Sequence, residues 1–174
     1  MEMTLFGVQK ASGASCPPNQ HTNRGGRWHT GPRLIRYLAE SPALAVLEFL
    51  KGKMTQLNAG EFSHGNFVLT SWTLDIDPAL TPFIKLADLP LGWQHIPYRR
   101  STATQDLGNA WLASGRSLAL KVPSAALPPG MGWNFLVNLA HPDFPAPLPA
   151  ECVTATPFEL PFYLGNHRYL GDPE

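Results

Sequence analysis

The chain has 174 residues, 44% of them hydrophobic and 15% charged, with a formal net charge of zero. That composition suits one globular domain with one core and excludes a disordered segment. Neutral charge favours neither nucleic acid nor an anionic membrane as partner, and no apolar run approaches the ~20 residues of a membrane span.

Met3–Val8 has strand character, interrupted by Gly7. Ala11–Arg24 reads as a polar loop containing Gly, Ser and Pro, either plain surface or the rim of a site. Gly25-Gly26 makes a turn that delivers Arg27 and Trp28, and Gly31-Pro32 makes a second turn. Leu34–Ala39 is an apolar strand carrying Tyr37. Ser41-Pro42 opens a helix, with Ser as N-cap and Pro at the first helical position. That helix is apolar nearly all round, which implies burial, and Lys51-Gly52-Lys53 marks its expected end. Phe67–Ile76 is the strongest strand, with Val68, Thr70, Trp72, Leu74 and Ile76 on one face. Leu80–Leu89 is a short helix or turn closed by Pro90, and Leu91–Arg100 is irregular. Ser101–Ala113 is a second helix, capped by Ser101 or Thr102, with Ala103, Leu107, Ala110 and Trp111 as its buried stripe. Ser117–Val122 and Asn134–Asn138 are strands, separated by a Pro/Gly loop, and Ala140–Asp143 is a turn. The tail alternates short apolar runs with prolines, and Pro161–Leu170 adds an edge strand. Eighteen prolines disfavour a long helical bundle. Short strands interleaved with helices give an α+β, or mixed α/β, single domain over residues 1–174, built on a twisted sheet.

Glu48 is the odd residue of the first helix, set among Leu44, Val46, Leu47, Phe49 and Leu50. A buried carboxylate needs a cation or several donors, or it takes up a proton. Arg27, Arg33 and Arg36 are the nearby cations, so the choice lies between a structural Arg–Glu pair and a functional group. Other chemistry is excluded more easily. There is no G-x-G-x-x-G and no Walker loop. Six scattered histidines show no metal spacing. Ser124 is in no nucleophile elbow, and its plain reading is a turn serine after a strand. Cys16 and Cys152 form no framework and read as reduced thiols, the alternative being a single disulfide. No basic segment followed by an apolar one opens the chain, so a cytoplasmic protein is expected. An Arg, a Tyr, a Glu and a Ser remain. Arg can hold a pyrophosphate, Tyr can stack on a ring, Ser can donate to a carboxamide or phosphate, and Glu can stabilise positive charge on a ribose. The residues themselves lead to a nucleotide-sugar site.

The series of motifs resembles a known family. G-G-R-W-H-x-G-x-x-x-x-x-Y-L-A-x-S-P-A-L-A-x-L-E, from Gly25 to Glu48, resembles the signature of the RES domain. Downstream, Leu89-Pro90 with Trp93, Thr104-Gln105 through Trp111-Leu112, Val122-Pro123-Ser124-Ala125, and Asn134 through Asn138 with His141-Pro142-Asp143-Phe144 resemble the family's later segments in the same order.

The resemblance implies a bacterial toxin paired with an Xre-type helix-turn-helix antitoxin, as a homodimer or a toxin–antitoxin hetero-oligomer. It implies a fold like that of the ADP-ribosyltransferases, with a small split sheet flanked by helices around a NAD cleft. It implies depletion of NAD by hydrolysis or phosphorolysis of the nicotinamide–ribose bond, without metal. The alternatives are transfer of ADP-ribose to a protein, and a non-catalytic module binding a nucleotide or partner. By motif, Arg27 holds the phosphates, Tyr37 packs on the ring or ribose, Glu48 stabilises the ribose cation and Ser124 completes the pocket. Asn134 and Asn138 are weaker candidates. His29 stands where many members carry Asn, and Leu139 where Pro is common. Gly7 stands where the family's first strand carries a cofactor-binding Arg. The resemblance therefore implies a weakened toxin, the plain alternative being that Gly7 is a strand-bulge glycine.

Overall fold

The structure, a computed structural model, describes residues 1–10, 23–58, 67–97, 100–146 and 152–158. Most of the loop read over Ala11–Arg24, and the whole edge strand read over Pro161–Leu170, lie outside the described residues. The elements are β1 (Glu2–Lys10), β2 (Ile35–Ala39), α1 (Pro42–Asn58), β3 (Phe67–Asp75), α2 (Thr102–Ser114), β4 (Ala119–Pro123), β5 (Trp133–Asn138) and β6 (Val153–Phe158), with a short 3-10 turn at Leu86–Asp88. The mixed α+β reading holds.

The six strands form one antiparallel sheet in the order β4-β5-β2-β1-β3-β6. Its waist is narrow. β2 pairs with β5 along its whole length, and β1 with β3 over nine residue pairs, but β1 meets β2 at one pair, Phe6 opposite Ala39. The expected split sheet is thus two three-stranded halves joined at one point. The β1–β3 register runs unbroken from Glu2–Asp75 to Lys10–Phe67. A bulge would slip that register by one residue, so Gly7 makes no bulge against β3.

Side chains alternate across the sheet. Leu5, Leu38, Trp72, Leu74, Phe135 and Val137 build a core on one face. Phe6, Val8 and Leu69 pack on the other face with Leu44 and Ala45 of α1. Ile35, Leu120, Val122 and Leu136 share that second face with Trp28, Trp93 and Trp111 of α2. Both helices, and the Arg27 turn, therefore lie on one side. The alternation read over β3 is correct: Val68, Thr70, Trp72, Leu74 and Ile76 are all buried.

Four expectations are corrected. α1 does not stop at Lys51-Gly52-Lys53 but runs to Asn58, because Gly52 does not adopt the left-handed conformation that ends a helix, and Lys51 bonds across to another segment. Nor is α1 buried all round, since Leu47 is exposed and Glu48 half-buried. The buried stripe of α2 is Thr104, Gln105, Gly108 and Trp111, while Ala103 and Ala110 face out; α2 packs against a polar backbone turn, so its inner face carries hydrogen-bonding side chains. Finally, β6 pairs with β3 from Phe67–Phe158 to Trp72–Val153. Its proline, Pro157, hid it, and an edge position tolerates one.

Candidate functional site

The turn carrying Arg27 is fixed from three sides. Asn23 and Arg33 exchange backbone hydrogen bonds of 2.8 and 2.9 Å, and at the tip the Gly26 N–H donates to His29 O at 3.1 Å, leaving Arg27 and Trp28 between. From β2, Tyr37 Oη accepts the Trp28 N–H at 3.2 Å and lies 2.7 Å from His29 Nδ1. The Asn23 carbonyl, 3.4 Å from Nε2, can only accept, so a neutral His29 carries its proton on Nε2 and its Nδ1 accepts from the Tyr37 hydroxyl. From α2, Thr104 Oγ1 donates to Arg27 O at 2.6 Å and Gln105 Nε2 to Gly26 O at 2.9 Å. The Gly26 backbone passes so close to Tyr37 that a Cβ there would sit 2.6 Å from its hydroxyl.

His29 is fully buried. Burial, assisted by Arg33, holds its pKa below 6.5, against the opposing pull of the Asn23 carbonyl. Burial pushes the Tyr37 phenol far up, against the Trp28 N–H and Arg27. Both groups are neutral, as the hydrogen-bond chain requires. A histidine whose folded pKa is depressed binds fewer protons in the fold than in the unfolded chain below 6.5, so the fold loses stability as pH falls. The melting temperature is expected to drop from about pH 7 to about pH 5.5, and His29→Asn to flatten that slope. Equal slopes in a thermal melt series would remove His29 from this role.

Arg27 spends its guanidinium on backbone and hydroxyl oxygens. Nη1 donates to Trp93 O at 2.7 Å and Ser101 Oγ at 3.1 Å, and Nη2 to Gln94 O at 3.3 Å. Its carbon lies 5.7 Å from the Trp93 ring centre. Burial lowers its pKa, opposed by Glu48 and Tyr37. Ser101 stands at the N-cap of α2, as read, but its hydroxyl makes no cap bond. It donates instead toward Ile96 O or Pro97 O while receiving Arg27.

Glu48 is held by neutral donors. Ser124 Oγ donates to its Oε1 at 2.6 Å and Asn134 Nδ2 to the same oxygen at 2.7 Å. The structural Arg–Glu pair is not what holds this carboxylate. Ser124, 1% exposed, also accepts the Ala126 N–H at 3.0 Å, so the turn-serine reading and the site reading are both true. Asn138 is different: its Oδ1 accepts the Ala140 N–H at 3.1 Å, at the far end of β5, where it serves a turn.

A cavity of about 260 Å³ opens at the sheet waist, lined by Phe6, Gly7, Tyr37, Glu48 and Asn134 among others. The structure thus brings Tyr37, Glu48, Asn134 and the Gly7 backbone to one space. Ser124 sits behind Glu48, and Arg27 is close enough for Glu48 to act on its charge. Sequence reasoning missed Lys51. Its Nζ donates to Ala125 O and, at 3.4 Å, to Gln94 O. The signal existed, since Lys51 is three residues from Glu48 and shares its helical face, but it was read as a helix end. Among the described residues no three His, Cys, Asp or Glu gather as a metal site, and no helix is long and apolar enough to cross a membrane.

A family model described as RES domain matches residues 4–161. The chain belongs to the RES domain family. It is 34% identical over 119 residues to the "Prs ADP-ribosylating toxin" of Sphingobium sp., a match covering 68% of this chain and 69% of that protein. It is 32% identical over 120 residues to "Toxin Res" of Yersinia enterocolitica, covering 69% and 72%. It is 35% identical over 118 residues to "Toxin Res" of Pseudomonas putida, covering 67% and 72%. The RES match spans the Arg27 turn, Tyr37, Glu48, Ser124 and Asn134.

Proposed function

We propose that this RES-family chain is a toxin that consumes NAD by breaking the nicotinamide–ribose bond. The observation that carries the reading is the Glu48 carboxylate, fixed through Oε1 by Ser124 and Asn134 at the wall of the waist cavity. A carboxylate so placed can stabilise an oxocarbenium-like ribose as nicotinamide leaves. Tyr37 offers its ring to the same space, its hydroxyl being spent on the Arg27 turn. Arg27 supplies permanent charge for the phosphates. A second reading, transfer of ADP-ribose to a protein, is favoured by the name of the Sphingobium relative. An Xre-type antitoxin reaching across the Arg27–Glu48 cleft is the partner that fits family membership.

Gly7 makes the chain a weakened form in this reading. A Cβ there would meet Leu38 Cδ2 at 3.1 Å and Thr70 Oγ1 at 3.5 Å, on the sheet face away from α1. The Cβ alone already requires Leu38 to give by a few tenths of an ångström, so an Arg there must push Leu38 further aside and turn back through the β1–β2 gap to bring its guanidinium to the cavity. Gly7→Arg is expected to raise NAD consumption by about 10–150-fold, the value of one charge-assisted contact to phosphate. The test compares nicotinamide release by both purified forms, with labelled NAD to reveal modified protein. Equal rates would show that Gly7 is no lost cation site. Label on protein with little free ADP-ribose would favour transfer. No nicotinamide from either form would end the cleavage reading.

A further inference from the structure

Arg27 and Lys51 converge on one atom. Arg27 Nη2 and Lys51 Nζ both donate to Gln94 O, at 3.3 and 3.4 Å. Their remaining partners in the described structure are Trp93 O, Ser101 Oγ and Ala125 O, all uncharged. Neither cation has a carboxylate within salt-bridge distance among the described residues. Glu48 acts on the charge of both from beyond that distance, so two mutually repelling cations share one carboxylate that neutral donors already hold, and an anion joining them would relieve the repulsion that remains. The ammonium has three donors and the guanidinium five, so donors remain for a ligand after the bonds above.

Beyond Lys51 and Gln94 lies a larger cavity, of about 620 Å³, whose other walls include Leu47, Leu50, Leu127 and Pro128. Its size falls in the range of small-molecule sites, and its apolar walls with a cation at the mouth match a flat ring attached to a phosphate. Ala125, whose carbonyl holds Lys51, follows Ser124, the residue that holds Glu48. The cation pair and the carboxylate are thus held by consecutive residues of one loop, and Lys51 and Glu48 lie three residues apart on α1, between the two cavities.

We propose that Arg27 and Lys51 together bind the diphosphate of a nucleotide whose base enters the Leu47–Leu127 cavity, at the end of the substrate away from Glu48. This deepens the NAD reading and rests on it for the substrate's identity, but the binding itself is testable alone.

The probe is ADP, titrated calorimetrically at low salt against the full chain, with inorganic pyrophosphate as comparison. ADP is expected to bind more tightly than pyrophosphate, and Lys51→Met to weaken ADP at least about ten-fold. Lys51→Arg, which keeps the charge, should stay within about three-fold of the parent. Leu127→Trp fills the cavity and should weaken ADP more than pyrophosphate. Melting curves of each variant separate lost binding from lost fold, and if Lys51→Met does not fold, Lys51→Arg and Leu127→Trp decide. Unchanged ADP affinity in Lys51→Met, or in Leu127→Trp, overturns the proposal, and Lys51 is then a clamp on the Ala125 loop. Nicotinamide release measured alongside keeps the two readings apart. Release with ADP affinity unchanged in Lys51→Met removes the subsite and leaves bond cleavage standing. ADP binding lost in Lys51→Met, with no nicotinamide released even by Gly7→Arg, keeps the subsite and removes cleavage.

Discussion

Glu48→Gln is expected to slow nicotinamide release by about 10²–10³-fold while leaving the melting temperature nearly unchanged. The amide has the same shape as the carboxylate, and its oxygen can still accept from Ser124 Oγ at 2.6 Å and Asn134 Nδ2 at 2.7 Å. What disappears is the negative charge facing the waist cavity. If that charge acts on the developing ribose cation, the loss falls on the chemical step, so kcat drops and KM moves little. The measurement is best made in the Gly7→Arg background, where the parent rate is highest. Ser124→Ala offers a graded control. It removes one neutral donor, leaves the charge, and should cost far less than Glu48→Gln. A Glu48→Gln rate within a few-fold of the parent would mean that the carboxylate is a structural group after all. A collapse in melting temperature would mean that it holds α1 to β5 and that its effect on rate is indirect.

The residues that carry one-dimensional patterns were legible before the structure. Alternation over Val68–Ile76 fixed β3 and its buried face, because a half-buried strand must alternate. Ser41 was legible as a cap, and its Oγ does accept the Leu44 N–H at 3.2 Å. The α2 stripe was not. Periodicity arguments look for apolar residues, whereas Thr104, Gln105 and Gly108 face a backbone turn and must be polar or small. Arg27, Tyr37, Glu48 and Ser124 were found through residue chemistry and a family resemblance, but their roles divided on inspection. Tyr37 reserves its hydroxyl for the Trp28 N–H and His29. Ser124 touches Glu48, not the cavity wall. Asn134 and Asn138 looked equivalent in sequence, yet they lie at opposite ends of β5, one at the carboxylate and one in a turn. Partnerships spanning sixty or seventy residues, such as Arg27 with Trp93 and Lys51 with Ala125, leave no periodic trace.

The second large effect is expected at Gly108, where Gly108→Ala should destabilise the fold and displace Arg27 together. Glycine inside a helix costs about 1 kcal/mol relative to alanine, so on α2 alone the substitution would stabilise. Tertiary packing reverses the sign. A Cβ on Gly108 would lie 1.7 Å from Trp28 O and 2.8 Å from Trp28 C, far inside van der Waals contact, and the atoms it strikes are backbone, which cannot rotate away. Either α2 lifts from the Arg27 turn or the turn moves. Overpacking of this kind costs about 1–3 kcal/mol or more, which at about 2–4 °C per kcal/mol in a chain of this length lowers the melting temperature by several degrees. The same displacement strains the bonds from Thr104 to Arg27 O and from Gln105 to Gly26 O, so the guanidinium leaves its place above Trp93. A shift of about 1 Å in a substrate-positioning group can cost 10²-fold in rate. Gly52→Ala is the matched control. It lies inside α1 with nothing within 4 Å of the added Cβ, and it should raise stability by about 0.5–1 kcal/mol without touching the site. If Gly108→Ala melts with the parent and binds ADP as well, the α2 contact does not set the position of Arg27, and the His29–Tyr37 chain must hold the turn alone.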